Sequence, residues 1–198
     1  MSASLRQGIA FGLLKLAGWQ LVYQQPPSPK AVVIVYPHTS NWDFVIGVIA
    51  RAAIALPIHF AAKDSLFRGP FVWLFRALGG LPVNRREPTG LVSRLAREFS
   101  SRERFYLAIT PEGTRRYTEY WRSGFYRVAL MAQVPLALGF IDYVRREIGI
   151  LGYLSLSGDE AVDLPRIASA YHDRRGKHPA LQGPIAFAPK ASRAGQSQ

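Results

Sequence analysis

Two short stretches carry side chains that could do chemistry together. His-Thr-Ser-Asn-Trp-Asp at 38–43 sets the imidazole of His38 five residues ahead of the carboxylate of Asp43. An imidazole held by a carboxylate has a fixed tautomer and can act as a general base on a hydroxyl or a water. The chain has no Cys and no Gly-x-Ser-x-Gly elbow, so no thiolate or esterase-type serine stands beside the pair. The spacing also suits a plain helix start, with Ser40, Asn41 or Asp43 capping the helix that follows. The second stretch is Thr-Pro-Glu-Gly-Thr-Arg at 110–115. Gly113 allows positive φ or close backbone approach, Thr114 offers a hydroxyl and Arg115 a planar fork, a set that suits an anion such as phosphate. An ordinary turn with a surface ion pair involving Glu112 would read the same way. A third stretch at 79–87 ends in Arg85 and Arg86, either another anion contact or a solvated basic loop.

Each stretch follows an apolar run of strand length. Strands are expected at 31–36, 57–62, 81–84, 105–109, 134–141 and 147–157, with Pro82 marking an edge strand and the last two forming a hairpin. Helices are expected at 42–53, 70–78, 89–99, 124–132 and 165–172. In 89–99 the apolar Leu91, Val92, Leu95, Ala96 and Phe99 share one face. This alternation is the signature of an α/β fold: a mostly parallel sheet flanked by helices. The carboxyl ends of parallel strands lie side by side, so His38 with Asp43, Arg85, and Glu112 with Arg115 can converge there. His59, His172 and His178 are read as structural. The aromatic residues of 117–126 suit an apolar groove, the core or an interface.

The composition sets outer limits. The 198 residues, 48% of them hydrophobic, suffice for one sizeable domain, and the absence of Cys fits a cytoplasmic chain. The formal net charge is +12, and 20 of the 25 basic residues are Arg, which favours an anionic partner such as a phosphorylated substrate or an acidic membrane. A nucleic-acid partner is disfavoured because the arginines share no periodic face and no binding motif is present. The apolar run at 4–22 is interrupted by Lys15 and Gln20, which argues against a full span, and it lacks the pattern of a signal peptide. It reads as an amphipathic helix over 1–24, either docked on the domain or lying in a membrane interface, where Arg6, Lys15, Trp19 and Tyr23 would be at home. A Pro-rich linker then leads to the main domain at 31–182, and 183–198 reads as a tail.

Taken in order, the motifs resemble those of the glycerolipid acyltransferase family, the group that contains the lysophosphatidic acid acyltransferases. The His-x4-Asp motif matches His38 and Asp43. A Gly-x-x-φ-φ-x-Arg stretch matches 79–85, and Pro-Glu-Gly-Thr-Arg matches 111–115. A Val-Pro-φ-φ strand matches 134–138. The sequence departs from the pattern at Thr110, where Phe is usual, at 117–122, and in a short C-terminal region. The resemblance implies a glycerol-3-phosphate acyltransferase-like fold and direct acyl transfer from acyl-CoA or acyl carrier protein, without cofactor or metal. His38 would be the base and Asp43 its orienter. Arg85 and Arg115 would neutralise an acceptor phosphate, with Thr114 and Gly113 beside them and Glu112 orienting Arg115 or binding an acceptor hydroxyl. The expected place of work is the cytoplasmic face of an anionic membrane. A non-phosphate acceptor such as an amino-acid lipid, a His-dependent hydrolase and a basic nucleic-acid-binding protein are the other readings.

Overall fold

The computed structural model describes residues 3–70, 72–83 and 90–189. Seven strands form one sheet in the order β1-β7-β6-β2-β5-β3-β4. They are β1 (Gln20–Tyr23), β2 (Lys30–Tyr36), β3 (Ile58–Lys63), β4 (Gly80–Val83), β5 (Phe105–Ile109), β6 (Leu136–Asp142) and β7 (Glu147–Leu154). Every neighbouring pair is parallel except β6 with β7. The central strands read as unbroken apolar runs because helices cover both of their faces. Val32, Ile34 and Tyr36 of β2 face a core completed by α4 (Leu91–Ser100), α5 (Gly124–Ala132) and α6 (Glu160–Tyr171). Ala31 and Val33 face the opposite side, where α2 (Trp42–Ile54) and α1 (Ala3–Leu16) pack.

The connections decide where a site can form. From β2 the chain crosses by way of α2 to β3, passing over β5. From β5 it crosses by way of α5 to β6, passing over β2 in the other direction. The adjacent strands β2 and β5 therefore send their helices to opposite faces, and a crevice opens beyond their carboxyl ends. Register holds the two together from Lys30 opposite Phe105 to Ile34 opposite Ile109. The strand-end loops carrying His38 and Glu112 therefore emerge side by side.

Several boundaries differ from the sequence reading. The N-terminal helix stops at Leu16 instead of running to residue 24. Gly18, at φ 74, lets the chain turn back, and the Trp19 amide bonds the Leu14 carbonyl. Residues Gln20–Tyr23 then form an edge strand beside β7. Gly149 lies so close to the Val22 carbonyl that a side chain could not be fitted there. Helix α6 begins five residues before Pro165, because the Asp159 carboxylate accepts the Ala161 amide at 2.9 Å and caps it. The expected tail remains packed through residue 187: Phe187 is buried and bridges Trp121.

Candidate active site

β2 delivers Pro37 and His38 to the rim of the sheet, and α2 begins four residues later. The loop between them folds on the Asp43 carboxylate, whose Oδ2 accepts the Ser40 amide at 2.9 Å. The Ser40 hydroxyl accepts the Trp42 amide at 3.2 Å, and Asn41 at the helix start makes no side-chain cap. The same Oδ2 lies 3.0 Å from His38 Nδ1. The ring N–H does not point straight along this contact, and no other described group satisfies the buried nitrogen. Unliganded sites often hold such bonds imperfectly and tighten them on substrate. The carboxylate assigns the ring proton to Nδ1 and leaves the Nε2 lone pair free. Asp43 Oδ1 accepts the Tyr143 hydroxyl at 2.8 Å. Burial alone would raise the Asp43 pKa. The bonds from His38, Ser40 and Tyr143 outweigh it and hold the carboxyl below its usual value. The Tyr143 phenol is pushed up in turn, by burial and by donating to that carboxylate.

Glu112, from the β5 end, does not pair with Arg115. Its Oε2 accepts the His38 backbone amide at 2.9 Å, and its Oε1 accepts the Gly183 amide at 3.4 Å. Only 2% exposed, it ties three segments of the chain together. Burial raises its carboxyl to about 7, and the nearby Asp43 charge adds to the rise, against the pull of the two amides. Gly113 has φ 66, and a Cβ there would lie 2.7 Å from Arg122 Nε, so the glycine makes room for that side chain. The Thr114 hydroxyl accepts the Arg116 amide at 3.1 Å, a local turn contact. Arg115 is exposed and has no ion-pair partner among the described residues. Arg85 lies outside the described residues.

Below His38 a cavity of about 700 Å³ runs between α2 and the sheet. His38, Asp43, Thr110 and Arg115 line its upper part. Val33 and Val35 of β2, Phe60 of β3, Ala108 of β5, and Phe44, Val48 and Ile54 of α2 form its apolar wall. Along α2 the lining extends from Asp43 to Ile54, about 16 Å at the helical rise. Gly47, Gly139 and Gly149 add no side chains to fill it. Arg51 also lines it and donates to the Leu78 carbonyl. Among the described residues, no three His, Cys, Asp or Glu side chains form a group able to hold a metal ion. His59 is held through Nδ1 by the Pro57 carbonyl at 3.0 Å and through Nε2 by Arg102 at 3.1 Å, away from this site.

The sequence offered no signal for three contributors. Tyr143 comes from the β6–β7 turn. Thr39, buried in the His38 loop, accepts the His178 amide at 3.1 Å. Gly183 presents its amide to Glu112 and its carbonyl to the Tyr36 hydroxyl at 2.8 Å. The last two follow from the segment after α6 folding back over the loop, and Tyr143 from the β6–β7 turn reaching the start of α2.

Glu112 gives the site a testable dependence on pH. Its carboxyl rises from the usual 4.5 to about 7 on folding, so the folded state keeps the proton longer than the unfolded state. That contribution to stability is full below about 4.5 and is lost as pH rises through about 7. Glu112→Gln removes the titration and sets an amide N–H against one of the two backbone donors. The melting temperature of the parent minus that of the variant is expected to shrink from about pH 5 to about pH 8. A difference that stays flat across that window would show that burial does not govern this carboxyl.

The geometry can be set beside known proteins. The Acyltransferase family model matches residues 21–137, which include both strand-end loops. The crystal structure of the 1-acyl-sn-glycerophosphate (LPA) acyltransferase PlsC from Thermotoga maritima is similar in fold, with a TM-score of 0.57 and 16% sequence identity. The likeness covers 88% of this chain and 81% of that one. No curated protein matches. With a family match over more than half its length, and His38, Asp43 and Glu112 brought to one crevice, the chain belongs to the acyltransferase family.

Proposed function

We propose that this acyltransferase moves a fatty acyl group from an acyl thioester, acyl-CoA or acyl carrier protein, to a hydroxyl of a lysophospholipid or glycerol-phosphate-type acceptor. The observation that carries the reading is the position of the His38–Asp43 pair at one end of a long apolar cavity, with Arg115, which has no ion-pair partner among the described residues, in the same lining. His38 Nε2 takes the proton from the acceptor hydroxyl, and the Asp43 carboxylate stabilises the imidazolium that forms. The acceptor oxygen attacks the thioester carbonyl. As the new C–O bond forms the C–S bond breaks, and the departing sulfur takes the proton back from His38. The acyl chain lies along α2. Arg115, joined by Arg85, binds the acceptor phosphate through its fork. Since the Thr114 hydroxyl already serves the local turn, its part is to shape the loop.

The place of work is the cytoplasmic face of an anionic membrane. Among the described residues no helix is long and apolar enough to cross a bilayer. Helix α1 docks on α2 through Ala10 and Leu14, yet leaves Leu5, Ile9, Phe11, Leu13 and Leu16 exposed. Trp42 and Val45 of α2 and Trp73 of α3 (Val72–Ala77) are exposed as well. An apolar helix face outward, joined to a net charge of +12, suits interfacial binding to acidic lipid.

Three measurements test the reading. His38→Ala is expected to lower acyl transfer at least about 100-fold while the protein still folds, its melting temperature falling only by what the loss of one partner of the buried Asp43 costs. A folded His38→Ala protein with near-normal turnover would sink the mechanism. Arg115→Lys replaces a fork with a point charge and should raise the acceptor KM several-fold while the donor KM stays within about 2-fold. An effect confined to the donor would move Arg115 to the thioester's nucleotide or carrier. The triple substitution Ile9→Ser, Phe11→Ser and Leu13→Ser spares the buried Ala10 and Leu14. It should weaken binding to anionic vesicles and make the remainder more salt-sensitive, each surface cation contributing on the order of 1 kcal/mol. Parent-like binding by that variant would assign α1 a purely structural part.

A further inference from the structure

We infer that Tyr143 is a positioning residue of the proposed acyl transfer, fixing the rotation of the Asp43 carboxylate so that Oδ2 stays against His38 Nδ1. The inference rests on the functional reading above and goes beyond the two-residue motif.

The two oxygens of Asp43 have different partners. Oδ2 faces both His38 Nδ1 and the Ser40 amide. Oδ1 has one partner among the described residues, the Tyr143 hydroxyl at 2.8 Å. A carboxylate held at one oxygen alone can swing about its Cβ–Cγ bond, and any swing takes Oδ2 off the ring nitrogen. The hydrogen bond at Oδ1 blocks that swing. The carboxylate is nearly fully buried, so water offers little replacement.

Tyr143 is itself held on every side. It opens the tight turn between β6 and β7. That turn is pinned by Asp142, fully buried, whose Oδ1 accepts the Val144 amide at 2.9 Å and the Arg145 amide at 3.1 Å. The Tyr143 amide donates to the Arg175 carbonyl at 2.9 Å. Its ring stands edge-on to Trp19, centroids 5.0 Å apart and planes at 87°. Trp19 is in turn fixed by the bond that ends α1, from its amide to the Leu14 carbonyl at 2.8 Å. A hydroxyl set this firmly on one oxygen of a motif carboxylate is preorganised for orientation.

The test compares the full chain with Tyr143→Phe, Asp43→Ala and the double variant, using an acyl-CoA donor and lysophosphatidic acid in detergent. Tyr143→Phe keeps the ring against Trp19 and removes only the hydroxyl. A hydrogen bond to a charged group is typically worth a rate factor of about 10 or more, so kcat should fall about 10-fold while the donor KM stays within about 2-fold. In the Asp43→Ala background the same change should alter kcat by less than about 2-fold, since its partner is gone. A parent-like kcat in Tyr143→Phe, or an equal loss in both backgrounds, would overturn the inference. Either result, with His38→Ala inactive, leaves the functional reading standing. Full activity in His38→Ala would instead remove that reading.

Discussion

The site depends on how two buried carboxylates are neutralised. Asp43 and Glu112 are 3% and 2% exposed, and among the described residues neither is paired with Lys or Arg. A buried carboxylate without donors would be costly, so each draws donors from separate parts of the chain. Asp43 takes the Ser40 amide, the Tyr143 hydroxyl and the His38 ring, and Glu112 takes the His38 and Gly183 amides. Satisfying these oxygens brings together the end of β2, the end of β5, the β6–β7 turn and the segment after α6. The other two fully buried carboxylates behave differently. Asp142 and Asp163 each contact an arginine as well as backbone amides, Asp142 at the end of β6 and Asp163 in the first turn of α6. The site's negative charge is met with amides and hydroxyls, and Arg115 has no ion-pair partner among the described residues.

Helix α2 links chemistry, cavity and surface. Its first turn carries Asp43, where a helix N-terminus favours negative charge. Its inward face walls the cavity for about three turns, and α1 packs along it. Trp19, just past α1, backs the tyrosine that holds Asp43. One helix thus spans the proposed acyl groove and connects the outward apolar helix to the dyad.

The imidazole has its own division of labour. Its backbone amide is anchored by Glu112 and its ring faces Asp43, so loop position and ring angle are set by different acids. In the proposed transfer Asp43 would bear on the proton, while Glu112 would bear on where the imidazole stands.

Much of this was legible in the sequence. The apolar runs of β2, β5 and β6 are long and β-branched or aromatic, and the intervening segments have helical periodicity, so the element types and the parallel sheet follow from local patterning. Parallel strands place their carboxyl ends on one edge, which is why the loops of His38 and Glu112 could be expected to meet. The five-residue spacing of His38 and Asp43 gave their contact, because a strand end followed at once by a helix leaves the two side chains little choice. Tertiary structure alone decided the rest. Glu112 reads as a partner for the arginine beside it, but burial gave it two backbone amides instead. Tyr143 lies 100 residues from Asp43, and no local pattern reports a contact made by a hairpin turn folding over another strand. The edge strand β1 is four residues long, too short for periodicity to separate it from the apolar helix before it. The stretch after residue 172 carries no local pattern and 183–198 reads as a tail, yet His178 and Gly183 close the site, because the donors that Thr39 and Glu112 require happen to be theirs.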